Sequence, residues 1–322
     1  MTSDRPVSDP LPFRLGCAVW GYPGWRGSWF PETVQPKAML AAYTQCFTAV
    51  EGNTTFYGMP SAATLEKWRS QTLAPTPTRL PFHFCLKFPK TVSHQGLLMP
   101  QWSDAQRFHH RVQLLGEQLG PVFLQLPPRY SPQYLDDLDS FLGHWRQLTA
   151  AKLAVEVRHP HWFTAEGRDR LNHLLISHTV GRVILDTRPI YRNLAPDDDP
   201  QSCSQRRKPD LPLHASVTTP FSFVRLITHP DSSKNQTYLD EWANRTERWL
   251  NKGITLYLFI HCPIEDHSPH TARQFQERLE AKGLAVPQLQ WPDPSAPAPP
   301  NGRSQLSLFP PQKTLPSEVT DN

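Results

Sequence analysis

The stretch KLAVEVRHPHWFTAEGRDRLNHLLISHTVGRVILD, residues 152–186, decides the fold. It opens and closes on short apolar runs, KLAVEVR (152–158) and GRVILD (181–186), which are nearly continuous rather than cleanly alternating. Runs of that kind suit strands buried on both faces. Between them, residues 165–177 read as an amphipathic helix. Strand, helix and strand in that order imply parallel pairing.

The same unit recurs outward in both directions. Further strand-like runs are RLGCAVW (14–20), TAVEGN (48–53), FHFCLKF (82–88), VFLQL (122–126), FVRLIT (223–228) and ITLYLFI (254–260). Helices are expected over 37–47, 61–72, 103–118, 132–147, 236–251 and 269–282. Eight strand units favour an α/β protein closed into a single (β/α)8 TIM-type barrel over an open doubly wound sheet. No GxGxxG follows the first run, which argues further against a dinucleotide-binding sheet. The expected layout is a flexible start over 1–13, the barrel over 14–290 and a disordered tail over 291–322. One connection, 187–222, is too proline-rich and polar for a barrel helix and reads as a functional loop or lid. It carries Arg206, Arg207 and Lys208, which a solvated basic turn would equally explain.

Composition narrows the function classes. The chain has 322 residues and a net charge of +4, with a pI near 8.8, too mild for a protein that coats duplex DNA. Its 35 prolines are about twice the usual share and fall in loops and tail. The five cysteines, Cys17, Cys46, Cys85, Cys203 and Cys262, are scattered without a CxxC pair, as expected of reduced thiols. The first residues lack the apolar core of a signal peptide, and the longest apolar run, 254–260, is far short of a membrane span. A cytoplasmic protein is the expectation.

In barrels of this type the reactive groups come from the C-terminal ends of strands and the loops behind them. Those ends offer Trp20, Glu51 with Asn53, Lys87, Gln125, Glu156 with Arg158, Asp186, Arg225 and His261. Charged groups gathered at a barrel mouth must be paired, solvated or held for a ligand. Residues two apart on a strand share a face, so Glu156 and Arg158 can form one dyad. Asp186 has two readings, as a chemical group or as an anchor for Arg225 or the long loop. Lys87 suits an anion or a salt bridge, and His261 and His94 are candidate acids or bases. Glu51, Glu156, Asp186 and His261 are also suitable ligand types for a divalent ion. Three cations in the same mouth would repel that ion, so no cofactor is expected, a divalent metal being the alternative. Lys87, Arg158 and Arg225 together fit an anionic substrate better.

Five motifs carry a family resemblance: VEGNTTFYGMPS (50–61), FHFCLKFPKTVSHQ (82–95), FLQLPP (123–128), AVEVRHPHWF (154–163) and RVILDTRP (182–189). They resemble the YecE-like family, a domain of unknown function (number 72), over about residues 14–290. The resemblance implies a TIM-type barrel similar to the xylose isomerase and endonuclease class, but no reaction. On matching positions it implies a pocket of Glu51, Asn53, Tyr57, Lys87, His94, Glu156, Arg158, Asp186 and Arg225. The metal-ligand pattern of the endonuclease barrels is not evident, so metal-dependent DNA cleavage is not implied.

The tail, WPDPSAPAPPNGRSQLSLFPPQKTLPSEVTDN from Trp291 onward, is too poor in apolar residues to order itself, except for one island. That island is Gln305-Leu306-Ser307-Leu308-Phe309, and it resembles the pentapeptide with which bacterial replication and repair proteins dock on the DNA polymerase sliding clamp. The resemblance implies that Leu306, Leu308 and Phe309 fill apolar pockets while Gln305 makes polar contacts. The alternative is that the island folds back on the barrel.

The leading expectation is an enzyme brought to DNA by the clamp and acting on a phosphate-bearing substrate, a nucleic-acid end or a nucleotide. Lys87, Arg158 and Arg225 would bind the anion, with Glu156 or His261 as acid or base. A metabolic isomerase, hydrolase or lyase acting on a small anion is the second reading. A noncatalytic clamp-bound adaptor that senses a small ligand is the third.

Overall fold

A computed structural model describes residues 10–73, 80–192 and 208–292. Among these residues eight strands form in the expected order: β1 (Phe13–Cys17), β2 (Ala49–Gly52), β3 (His83–Leu86), β4 (Val122–Gln125), β5 (Leu153–Glu156), β6 (Gly181–Asp186), β7 (Phe221–Ile227) and β8 (Thr255–His261). Every pairing between these strands is parallel. Six strands form one sheet in the order β1-β8-β7-β6-β5-β4, and β2 pairs with β3 in a second. Single backbone bonds reach between the two sheets. Thr48 donates to the Leu15 carbonyl at 3.1 Å, Gly120 to Phe84 at 3.0 Å and Phe88 to Phe123 at 3.0 Å. The approach of β1 to β2 is close enough to require a glycine. A Cβ on Gly16 would lie 2.0 Å from the Ala49 carbonyl oxygen.

The faces of the strands divide the core in two. Ala49, Cys85, Phe123, Ala154, Val183, Phe223 and Phe259 form a small inner cluster. Their neighbours one residue along, such as Val50, Leu124, Val155, Ile184 and Val224, join a much larger cluster with the helices. That is the period of two expected of strands covered on both sides.

Among the described residues ten α-helical segments follow the strands or their loops: α1 (Met39–Cys46), α2 (Thr54–Tyr57), α3 (Ala62–Gln71), α4 (Lys90–Ser93), α5 (Trp102–Val112), α6 (Leu135–Leu148), α7 (Ala165–Ser177), α8 (Arg188–Tyr191), α9 (Gln236–Leu250) and α10 (Ser268–Ala281). The α7 segment shows why these form. Thr164 caps it, its hydroxyl accepting from Gly167 N at 3.1 Å, and Leu171, Leu174 and Leu175 bury one face. Burying each leucine stabilises by about 1.5–3 kcal/mol.

Two expected elements differ. The helix expected over 103–118 ends at Val112 and continues as a 3-10 turn, because Gly116 takes a positive φ of 57°. The run 14–20 is strand only to Cys17, so Trp20 lies beyond it, edge-on to Trp68 and Phe84.

Candidate functional site

The inward-facing side chains at the C-terminal ends of the strands meet in one hydrogen-bonded cluster. Arg225 of β7 is its hub. Its Nε and Nη2 donate to Glu51 of β2, each at 2.8 Å, and its Nη1 donates to Glu156 of β5 at 2.5 Å. His261 of β8 contacts the same Glu51 at 2.9 Å through Nε2, and Asn53 donates to Glu51 at 2.7 Å. On the other side Glu156 accepts from Gln125 at 2.7 Å and from Arg158 at 2.8 Å. Gln125 in turn accepts from Lys87 Nζ at 2.7 Å. Glu51, Glu156 and Arg225 are buried. Six strands and the residues just past them thus contribute to one network.

A one-turn helix holds the near wall. Thr55 of α2 donates to the Lys87 carbonyl at 2.6 Å and to Gly52 at 3.1 Å, which fixes α2 against β3. The Phe56 ring then lies under Lys87 Nζ, 3.9 Å from it, with the His94 ring edge-on at 5.0 Å. Over the network opens a cavity of about 920 Å³, into which Lys87, Arg158, His94, Lys208 and Glu265 project among others. That volume suits a nucleotide-sized ligand.

Burial and charge set the protonation states. Burial alone would raise both carboxyls, but Arg225 with His261 holds Glu51, and Arg225 with Arg158 holds Glu156, well below the usual range. Burial opposes the Arg225 cation, and the two carboxylates overcome it. Lys87 is pushed down to about 7 by burial and by Arg225, and Lys208 to about 8 for the same reasons. His94, lowered by burial and by Lys87 to about 4, and His261, lowered mainly by burial, are neutral at pH 7. Glu265 moves the other way, raised by burial to about 8, and among the described residues its Oε1, shut off from solvent, has no hydrogen-bond partner.

Two ionised carboxylates therefore face four cationic side chains, Lys87, Arg158, Lys208 and Arg225. Arg225 commits each of its three nitrogens to a carboxylate. Arg158 uses one nitrogen on Glu156 and leaves its other donors for the cavity. Among the described residues no three His, Cys, Asp or Glu side chains group as metal ligands. Glu51 and His261 are adjacent, but guanidinium and amide donors occupy the carboxylate.

Most of the residues expected at the mouth meet there, and two do not: Trp20 packs against Trp68 and Phe84, and Asp186 faces away. Asp186 ends β6 on the opposite face. Leu185 is the register partner of Arg225, whereas Asp186 pairs with Leu226 of the helix-side core. Its carboxylate accepts from Arg188 of α8 at 2.8–3.2 Å and from the Trp242 indole of α9 at 2.8 Å. It anchors the start of the long connection, and its oxygens accept from no described residue of the mouth network. Tyr57 sits on the rim, 77% exposed. Lys208 and Glu265 were not foreseen as site residues. The Lys208 position has a faint sequence signal in the basic turn, and Glu265 has one as an acid just past a strand end. Arg206, Arg207, Cys203 and the motif Gln305–Phe309 lie outside the described residues.

An α/β protein of parallel strands with a charged, open cavity at their C-terminal ends is the class that these features define. The family model for the DUF72 proteins of unknown function matches residues 14–298, and the chain belongs to that family. The UPF0759 protein YecE of Escherichia coli K12 is 32% identical over 270 residues, covering 82% of this chain and 92% of that one. Solved structures of similar fold include a DUF72 protein of Enterococcus faecalis, with a TM-score of 0.60 at 15% identity over 83% of this chain and 97% of that one. Another is from Thermotoga maritima, with a TM-score of 0.59 at 19% identity over 83% and 99%. No described helix is long and apolar enough to cross a membrane.

Proposed function

We propose that the eight strands close into a (β/α)8 barrel whose mouth binds a phosphate-bearing substrate and cleaves a phosphoester. One observation carries this reading: cationic side chains outnumber ionised carboxylates around an open cavity that also holds three groups titrating near neutral pH, Lys87, Lys208 and Glu265. Arg158 and Lys208 hold the phosphoryl oxygens, since both line the cavity and neither is consumed by the buried network. Glu51, Glu156 and Arg225 form the rigid base that orients them.

Lys87 and Glu265 divide the proton transfers. A fraction of Lys87 is neutral at pH 7 and takes a proton from water as its oxygen bonds to phosphorus. Glu265, still protonated, gives its proton to the alkoxide as the ester P–O bond breaks. This departs from Glu156 or His261 as acid or base, because Glu156 is locked by Arg225, Arg158 and Gln125. The tail motif Gln305, Leu306, Leu308 and Phe309 is proposed to dock on a sliding clamp and so deliver the cavity to DNA.

Turnover of phosphorylated metabolites and of 3′- or 5′-phosphorylated oligonucleotides tests the chemistry. At least one is expected to be cleaved, with kcat falling by about 100-fold or more in Lys87→Met and in Glu265→Gln while the fold is kept. Cleavage unaffected by both substitutions would sink the assignment. Clamp pull-down tests the tail, and retention unchanged in Leu308→Ala with Phe309→Ala would end the tethering idea.

A further inference from the structure

A second cleft, of about 550 Å³, lies beside the mouth and shares the α2 wall with it. Phe56 and Tyr57 line both spaces, so a single helical turn stands between the two. That turn is rigid, because the bonds from Thr55 tie it to the backbone of β2 and β3. On its crest Tyr57 packs edge-on against Phe56 at 5.2 Å and otherwise stands in solvent. A large ring carried on a tied-down turn and left uncovered offers its face for a flat group to stack on.

The floor of the second cleft is cationic. Lys90 comes from α4, and Arg107 and Arg111 come from one face of α5. Asp104 also lines the cleft and pairs with Arg107, so the cations exceed the carboxylate there as well. Arg111 gives one nitrogen to the Pro60 carbonyl at 3.1 Å, which fixes it beneath the chain leaving α2. Two positive cavities on either side of an exposed aromatic ridge repeat the pattern by which single strands are held, with phosphates on cations and bases on aromatic faces.

We infer that the substrate is a single-stranded polynucleotide lying across α2, with one phosphate in the mouth, a base stacked on Tyr57 and the adjoining backbone on Lys90, Arg107 and Arg111. This rests on the phosphate-binding reading of the mouth and specifies its substrate class. An acidic peptide would use the cations but has no repeating flat group for the ridge. A free metabolite would fill one cavity and leave the other without purpose.

Fluorescence anisotropy of the full chain with labelled (dT)12, beside calorimetric binding of sulfate in which the part lost in Arg158→Gln reports the mouth, tests it. Sulfate and (dT)12 are both expected to bind, the oligonucleotide at least about 100-fold more tightly than thymidine 5′-monophosphate. Tyr57→Ala is expected to weaken (dT)12 by about tenfold or more, and Tyr57→Phe to leave it unchanged, with sulfate binding constant in both. Arg107→Gln with Arg111→Gln should flatten the salt dependence of (dT)12 binding, lowering its log–log slope by about 0.7 for each phosphate left without its arginine, without effect on the sulfate held at the mouth. Sulfate binding with (dT)12 no tighter than the monophosphate overturns the strand and leaves the mouth reading standing. A poly-glutamate peptide that binds as tightly as (dT)12 overturns it in favour of a peptide. Failure of sulfate and (dT)12 alike removes both readings.

Discussion

Three arginines are buried on the strands, Arg14, Arg182 and Arg225, and the first and last of these, near opposite ends, are treated in opposite ways. Arg14 of β1 stands near the strand starts, in register with Tyr257, and its guanidinium donates to the Pro81 carbonyl. Its surroundings are neutral groups: Tyr257, Cys85 and His83, whose ring is lowered by burial and by Arg14 to about 3 and accepts or donates at 2.9 Å to the Tyr257 hydroxyl. Burial consequently lowers the Arg14 pKa. Arg225, at the other end, has two carboxylates and a pKa raised by them. The first end is a closed plug in which one cation is tolerated. The second is an overbuilt ionic cluster beneath an open cavity. Ion pairs of that kind are weak sources of net stability, so their cost is better explained by a ligand than by folding.

The sharpest way to break this contrast is to remove each arginine. Arg225→Met leaves Glu51 and Glu156 buried without their shared cation, and a loss of about 3–5 kcal/mol is expected in urea unfolding. Adding Glu51→Gln and Glu156→Gln should return much of it, because the uncompensated charges are then gone. Arg14→Met strands no carboxylate and is expected to change stability by no more than about 1 kcal/mol either way. Equal losses at both ends would erase the distinction.

Between these extremes lies Glu265. Its folded-state pKa, about 8, is above the ordinary carboxyl value of 4.5. Below pH 4.5 both folded and unfolded chains hold the proton. From there to pH 8 only the folded chain holds it, so stability falls as pH rises and the loss is complete above pH 8. Glu265→Gln should match the parent at pH 4 and exceed it at pH 9 by on the order of a few kcal/mol, read from Tm across the range. A constant difference between the two would mean that the carboxyl is not held protonated.

The strands were legible because each is a compact apolar run, and the unit over 152–186 appears as β5, α7 and β6. The mouth was legible where strand parity is local: Glu156 and Arg158 are two apart and do share a carboxylate–guanidinium contact. Asp186 shows where that reasoning stops. Its face depends on register with β7, which places Leu185 and not Asp186 opposite Arg225, and no property of GRVILD alone fixes that. Lys208 and Glu265 reach the cavity from connections with no periodic pattern, so their burial depends on how the chain returns to the sheet. The 3-10 turn after α5 turned on one glycine, Gly116, inside an otherwise helical stretch.

Sulfate carries a fixed double charge over the pH range in which Lys87 and Lys208 titrate, so its binding, followed by calorimetry from pH 6 to pH 9, addresses the mouth directly. The account predicts a site at the mouth whose affinity drops by at least about tenfold as Lys87, near 7, and Lys208, near 8, lose their protons. It also predicts that Arg158→Gln weakens binding at every pH. No sulfate binding at pH 6, or binding indifferent to both pH and Arg158, would contradict an anion site at the strand ends.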